Sequence, residues 1–123
     1  MNGTKTNLIQ ECKQKLVMMK AELLNRMSSV RWEMQNNDKN SGDEIDQTVA
    51  MLSEHTNLVN NDRIRTQLME IEFALARIQR GEFGICEETF EPIEADRLLA
   101  IPYTRLSIEG AEIREASRKF KFR

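Results

Sequence analysis

Asp43, Glu44 and Asp46 place three carboxylates within four positions, directly after Ser41 and Gly42. Two kinds of chemistry suit such a group. At the start of a helix, the macrodipole favours negative charge, and Ser41 followed three residues later by Glu44 forms a capping box. At the end of a long helical hairpin, the same acids form a tip that can be inserted into a partner. The residues alone leave both readings open. Little else in the chain could do chemistry. Cys12, Cys86 and the single histidine, His55, cannot make an ordinary structural zinc site unaided, and two isolated cysteines do not suggest a disulfide framework. His55 falls within a helical pattern and reads as an ordinary helical side chain. No nucleophile–base pair, phosphate-binding glycine loop or cluster of metal ligands is present, so neither an enzyme nor a cofactor is expected.

The acids need elements to position them, and hydrophobic spacing supplies two. Ile9, Cys12, Leu16, Met19 and Leu23 alternate steps of three and four, the seam of a coiled coil. The seam continues through Met27, Val30 and Met34 after one extra step of four, a stutter that relaxes the supercoil. This predicts a first helix from about Thr6 to Gln35, roughly 45 Å long. The run from Asn36 to Asp46, rich in Asn, Asp, Ser and Gly, is turn chemistry. After it, Ile45, Val49, Leu52, Thr56 and Val59 form a second seam. A polar patch around Asn57, Asn60, Asn61, Asp62 and Arg63 interrupts it before Ile64, Leu68, Ile71, Leu75 and Ile78 resume. The second helix is expected from about Asp43 to Arg80, with Gly81 as its C-cap. A short reversal makes the two helices antiparallel neighbours.

Beyond Gly81 the period is lost. Glu91-Pro92 and Ile101-Pro102 bar helix at the residue before each proline. Phe90, Ile93, Leu98, Leu99, Tyr103 and Leu106 are enough to close a small irregular knob. A last helix begins near Thr104, with Leu106, Ile113, Ala116 and Phe120 facing inward and Arg114, Arg118, Lys119, Lys121 and Arg123 toward its end. The expected organisation is a hairpin over 6–80 with its tip at 36–46, a knob over 81–105, and a C-terminal helix over 106–123.

Composition agrees with this helix-dominated reading. Of 123 residues, 40% are hydrophobic and 31% charged, which suits an elongated helical protein with a narrow seam. Net charge is −2, so the whole chain offers no general attraction to nucleic acid. Its distribution is uneven: from 36 to 62, Asp38, Asp43, Glu44, Asp46, Glu54 and Asp62 face Lys39 alone. No apolar run approaches a bilayer span and the start has no signal core, so a soluble, cytoplasmic protein is expected.

The knob carries a resemblance. Gly81-x-Phe83-Gly84-x-Cys86, followed by Ile93-x-x-x-Arg97-Leu98-x-Ala100-x-Pro102, resembles the C-terminal zinc-finger signature of the DksA/TraR family. The likeness extends upstream to the tip, where the family's Asp-x-x-Asp-x-Ala is matched by Asp43-x-x-Asp46-x-Thr48. The family's four zinc-ligand cysteines fall on Cys86, Thr89, Ser107 and Gly110, so only the first ligand survives and no metal is expected there. Structural zinc typically supplies ~10–16 kcal/mol of apparent binding energy to such a fold, so the aromatic and aliphatic set between Phe83 and Leu106 must hold the knob instead. The resemblance implies a protein that binds bacterial RNA polymerase core and inserts its acidic tip into the secondary channel, bringing Asp43, Asp46 and Thr48 near the active centre. It implies a monomer, with no sequence-specific DNA contact and no membrane partner. The family's polymerase-shared site for guanosine tetraphosphate falls on Gln67, Glu70, Ile101 and Ala111. Its cations are gone and one is replaced by an acid, so dependence on that nucleotide is not expected. The rival functions are a transcript-cleavage factor acting through the same channel, and a structural coiled-coil adaptor.

Overall fold

The computed structural model describes residues 2–40 and 44–121, and the side chains of 5–29, 31–32 and 48–119. Among the described residues, four helices appear in order: α1 (Asn2–Asn40), α2 (Glu44–Arg80), α3 (Ala95–Ala100) and α4 (Ile108–Lys121). The fold is a long antiparallel helical hairpin, α1 and α2, with a small irregular zinc-finger-like domain and a C-terminal helix. Among the described residues, no helix is long and apolar enough to cross a membrane. α1 runs on through 36–40, where turn chemistry was expected. Asn and Asp are only a few tenths of a kcal/mol poorer in a helix than average residues, and continuing the helix keeps each backbone hydrogen bond. The capping pair Ser41–Glu44 lies outside the described residues at its first member.

By contacts the chain forms two compact units, Met1–Met18 with Glu70–Arg123, and Met19–Met69. In the first, Cys12, Leu16, Ile71 and Ala74 of the hairpin are fully buried, as is Cys86 of the knob; Phe83, Ile93 and Leu98 are nearly so. The Lys15 ammonium donates to the Leu99 carbonyl at 3.0 Å, and the Cys12 thiol donates weakly to the Leu98 carbonyl at 3.6 Å. Burial pushes the Cys12 thiol up, further from ionisation, and the nearby Lys15 only partly offsets this.

In the second unit, Leu23 and Ile64 are buried. The seam expected at Val49, Leu52 and Val59 is not: these side chains are 60%, 65% and 39% exposed. The more sheltered positions are Ala50, Ser53, Asn57 and Asn61, which step back from Ile64 by threes and fours. The reason is phase. Val59 and Ile64 are five residues apart, hence about 140° apart around a helix, so both cannot face one partner. The buried row from Ile64 through Ile71 sets the rotation, and the asparagines take the inward face.

α2 ends as a Schellman motif. Glu82 N–H donates to the Arg77 carbonyl at 2.9 Å, Gly81 N–H donates to the Ile78 carbonyl at 3.2 Å, and Gly81 takes the left-handed φ of +76° that this cap requires. The following loop closes on itself through an isolated bridge between Ile85 and Pro92, with Cys86 N–H on the Glu91 carbonyl and Ile93 N–H on the Gly84 carbonyl, each at 2.8 Å. Within it, Phe90 adopts φ +60°, which costs a non-glycine residue on the order of 1 kcal/mol.

α4 begins later than expected because Ser107 is its N-cap. The Ser107 Oγ accepts from Gly110 N–H at 3.0 Å, and its carbonyl accepts from Ala111 N–H at 2.9 Å. The Glu94 carboxylate accepts from Ile108 N–H at 3.2 Å. This cap also sets the helix's rotation. Ser107 and Gly110 are buried with Ala111 and Arg114 partly so, while Ile113 (40% exposed) and Ala116 face outward, contrary to the expected inward pair. The side chain of Phe120 lies outside the described residues.

Candidate functional site

Of the acidic tip, only Thr48 has a described side chain, and it is exposed on α2. Asp43 lies outside the described residues; Asp46 belongs to α2, but its side chain lies outside them.

The second group of candidate residues is fully described. Cys86, on the loop after α2, meets Thr89 three residues later and Ser107 at the head of α4. Gly110, on the first turn of α4, closes the cluster, because a Cβ built there would lie well inside van der Waals contact of Cys86 Sγ and 3.3 Å from Ser107 Oγ. Cys86 has no exposed surface. Burial alone would push its thiol up, but hydrogen bonds from the side chains and backbone of Ser107 and Thr89 outweigh that and lower it from 9.0 to about 6. The two buried cysteines therefore differ in kind: burial raises the Cys12 thiol, whereas hydrogen bonds at a helix N-terminus lower that of Cys86.

These residues do not fit a four-cysteine zinc centre. One sulfur, two hydroxyls and a glycine supply a single soft anionic donor where tetrahedral zinc of this type takes four. Both hydroxyls are already engaged: Thr89 Oγ1 accepts from Glu91 N–H at 3.3 Å, and Ser107 Oγ caps α4. The close approach of Gly110 fills the fourth direction with backbone. Among the described residues, no group of three or more His, Cys, Asp or Glu side chains is placed to hold a metal ion.

The positions that resembled an alarmone site are put to other uses. Glu70 holds Arg105 side-on, with Nε at 2.8 Å and Nη2 at 3.1 Å. That bonding raises the Arg105 guanidinium above its ordinary value, with Glu87 adding to it at 3.4 Å. Arg105 also stacks 5.1 Å from the Phe73 ring centroid. Arg97 donates from Nε to the Leu106 carbonyl at 2.7 Å. Ile101 and Ala111 are partly buried and apolar, and Gln67 is exposed on α2. Two roles here escaped sequence reasoning. The Ser107 cap had a signal, a serine two residues before the acid Glu109 of the first helical turn. The Glu70–Arg105 pair had none, since 35 positions separate its members and no helical period links them.

Comparison with known proteins adds the following. Residues 81–116 match the family described as prokaryotic dksA/traR C4-type zinc finger. The chain is 35% identical over 103 residues to the RNA polymerase-binding transcription factor DksA of Caulobacter vibrioides, covering 84% of this chain and 72% of that one. It is 36% identical over 110 residues to an uncharacterized protein of Aquifex aeolicus, covering 85% and 74% respectively. Among solved structures, it is similar to that of transcription factor DksA2 from Pseudomonas aeruginosa. The TM-score is 0.83 at 29% identity, over 92% of this chain and 87% of the other.

Proposed function

Because the chain belongs to the DksA/TraR family, we propose that it is a transcription regulator that binds bacterial RNA polymerase and enters the secondary channel tip first. The observation that carries this reading is the match of hairpin and knob together to proteins named for polymerase binding, over most of both chains. Asp43 and Asp46 then act as the working end. Carboxylates are hard oxygen groups able to interact with a Mg²⁺ hydration shell or with basic residues of mobile catalytic elements. No covalent step is involved. The protein binds initiation intermediates with different free energies and so shifts their populations. It works as a monomer and makes no sequence-specific DNA contact. The test is a pull-down of core polymerase, with and without a competitor that occupies the channel. Capture that the competitor abolishes supports the reading, and capture indifferent to the competitor removes the channel from it.

The knob works without zinc in this reading, because the hydrogen-bonded Cys86 sulfur and the capped head of α4 occupy the place of a metal cross-link. Elemental analysis of the purified protein is expected to give no stoichiometric zinc, and its far-ultraviolet circular dichroism should be unmoved by a strong chelator. One equivalent of zinc, with unfolding on chelation, contradicts this.

Regulation through the shared alarmone site is also absent in this reading. A polyphosphate placed there would meet the Glu70 carboxylate, while Arg105 and Arg97, the nearest substitutes, are bound to Glu70 and to the Leu106 carbonyl. Guanosine tetraphosphate is expected to change the protein's effect in a defined transcription assay by less than about twofold. A large potentiation that disappears on mutating the polymerase side of the site would overturn that expectation.

A further inference from the structure

Glu70, Arg105, Glu87, Arg114 and Glu88 form an unbroken chain of alternating charge. Arg105 meets the Glu70 carboxylate at 2.8 Å and that of Glu87 at 3.4 Å. Arg114 continues the chain, reaching Glu87 at 3.7 Å and Glu88 at 3.2 Å. Glu70 stands on α2, Glu87 and Glu88 on the loop after it, Arg105 just before the Ser107 cap, and Arg114 on α4. Arg77 adds a third cation at longer range: burial and Arg105 lower its guanidinium, and the attraction of Glu87 and Glu70 offsets this in part. The side chains of the chain are between 32% and 42% exposed. That is sheltered enough for a network to act, yet open enough for salt to screen it. The course of the chain follows that of the Cys86, Thr89, Ser107 and Gly110 cluster. Glu87 and Glu88 lie between its first two members, and Arg105 and Arg114 flank its last two. Both sets join the same loop to the same helix. Beyond Arg114 the described side chains of α4, 115–119, are all exposed, so its ion pairs are the last polar tie on that helix among the described residues.

We propose that this charge chain is a salt-operated latch, fastening α4 to the loop and to α2 and loosening α4 as ionic strength rises. The proposal rests on the zinc-free reading of the knob and adds a response that a metal cross-link would not give. The two ends of the latch differ. Arg105 is held side-on by Glu70 through two nitrogens and lies over the Phe73 ring, so the α2 end is fixed. Arg114 reaches both of its glutamates through a single nitrogen, Nη2, so the α4 end is the one that opens. The remaining polar ties of α4, the Ser107 cap and the Glu94 bond to Ile108 N–H, reach only its first turn. Salt screens the attraction between charges, but it leaves the neutral Ser107 cap bond and the buried packing of Phe83, Ile93 and Leu98 in place. The helix is therefore released beyond its head while the knob beneath it stays folded.

Amide hydrogen exchange of the full chain tests this, with potassium chloride raised from about 0.1 M to about 1 M, which shortens the Debye length from about 10 Å to about 3 Å. Protection of the α4 amides 111–118 should fall about fivefold relative to those of Ile71 and Ala74 on α2. Arg114→Gln should show the loosened α4 already at low salt and lose most of the salt response. Arg114→Glu should loosen it further, and Glu88→Arg added to that variant should restore both protection and salt response. Rescue by the reversed pair separates a charge latch from mere packing of the Arg114 side chain. If a variant fails to fold, the salt response of the parent decides alone. Equal salt responses of α4 and α2 in the parent, or a parent-like response in folded Arg114→Gln, overturn the proposal. A parallel arm with a strong chelator at low salt separates the two possible failures. Loosening of α4 by the chelator overturns the zinc-free reading beneath, whereas indifference to both chelator and salt overturns the latch alone.

Discussion

Gly110→Ala is expected to destabilise the protein by about 2 kcal/mol, and to do so only while Cys86 keeps its sulfur. In an ordinary helix the change would be favourable by up to ~1 kcal/mol. Here the new methyl would overlap Cys86 Sγ, with Ser107 Oγ at 3.3 Å and Glu88 Cβ at 3.4 Å closing off the alternatives. The sulfur cannot easily move, being fully buried and bonded by both Ser107 and Thr89. Cys86→Ala should itself be destabilising, because it removes those bonds, but Gly110→Ala added to it should cost far less than in the parent. A double-mutant cycle by urea denaturation measures that coupling. Equal costs in both backgrounds would mean that the close approach is not what Gly110 serves.

The same variants report on the thiolate. The Cys86 thiol is lowered in the folded protein to about 6 from an ordinary 9.0. A depressed value contributes stability that is complete above pH 9 and is lost as pH falls toward 6. The slope between those limits approaches ~1.4 kcal/mol per pH unit for one group. The parent should therefore weaken from pH 9 to pH 6 by more than Cys86→Ala does. Parallel pH profiles for the two would show that the sulfur is not held as a thiolate.

The hairpin could be read from sequence because its strongest signal is local. Cys12, Leu16 and Leu23, and Ile64 and Ile71, are buried where their spacing predicts. The reading failed where a spacing that was regular within itself was out of phase with the buried row. Val49, Leu52 and Val59 form a good seam taken alone, but a helix turns continuously, and the row through Ile64 had already set its orientation. α4 shows the same lesson at smaller scale: the Ser107 cap and the close approach of Gly110 to Cys86 together set its rotation, so Ile113 turns outward despite its hydrophobicity. The four clustered positions Cys86, Thr89, Ser107 and Gly110 came from resemblance and not from physics. A threonine, a serine and a glycine carry no signal of belonging beside a cysteine. Nor could spacing reveal that Glu70 would hold Arg105.

Asp43→Asn and Asp46→Asn should leave the melting temperature and polymerase affinity close to the parent's, yet remove most of the effect on promoter complexes in a defined transcription assay. Asparagine has nearly the shape of aspartate and caps helices about as well. It loses only the interaction of a full charge with the macrodipole, typically ~0.3–1 kcal/mol and screened by salt. If the two acids serve only as the head of α2, which begins at Glu44, the variants therefore cost little and regulate normally. If the acids act at the polymerase active centre, removing their charge removes the interaction with metal-bound water or basic side chains, while every packing contact of the hairpin remains. Stability and function then separate, which no purely structural role produces. Thr48 provides the internal control. It is exposed on α2, and the family pattern has alanine there, so Thr48→Ala should shift the transcription readout far less than either Asn variant. Parent-like regulation by both Asn variants would reduce the acidic tip to a helix cap and leave polymerase binding to the rest of the molecule.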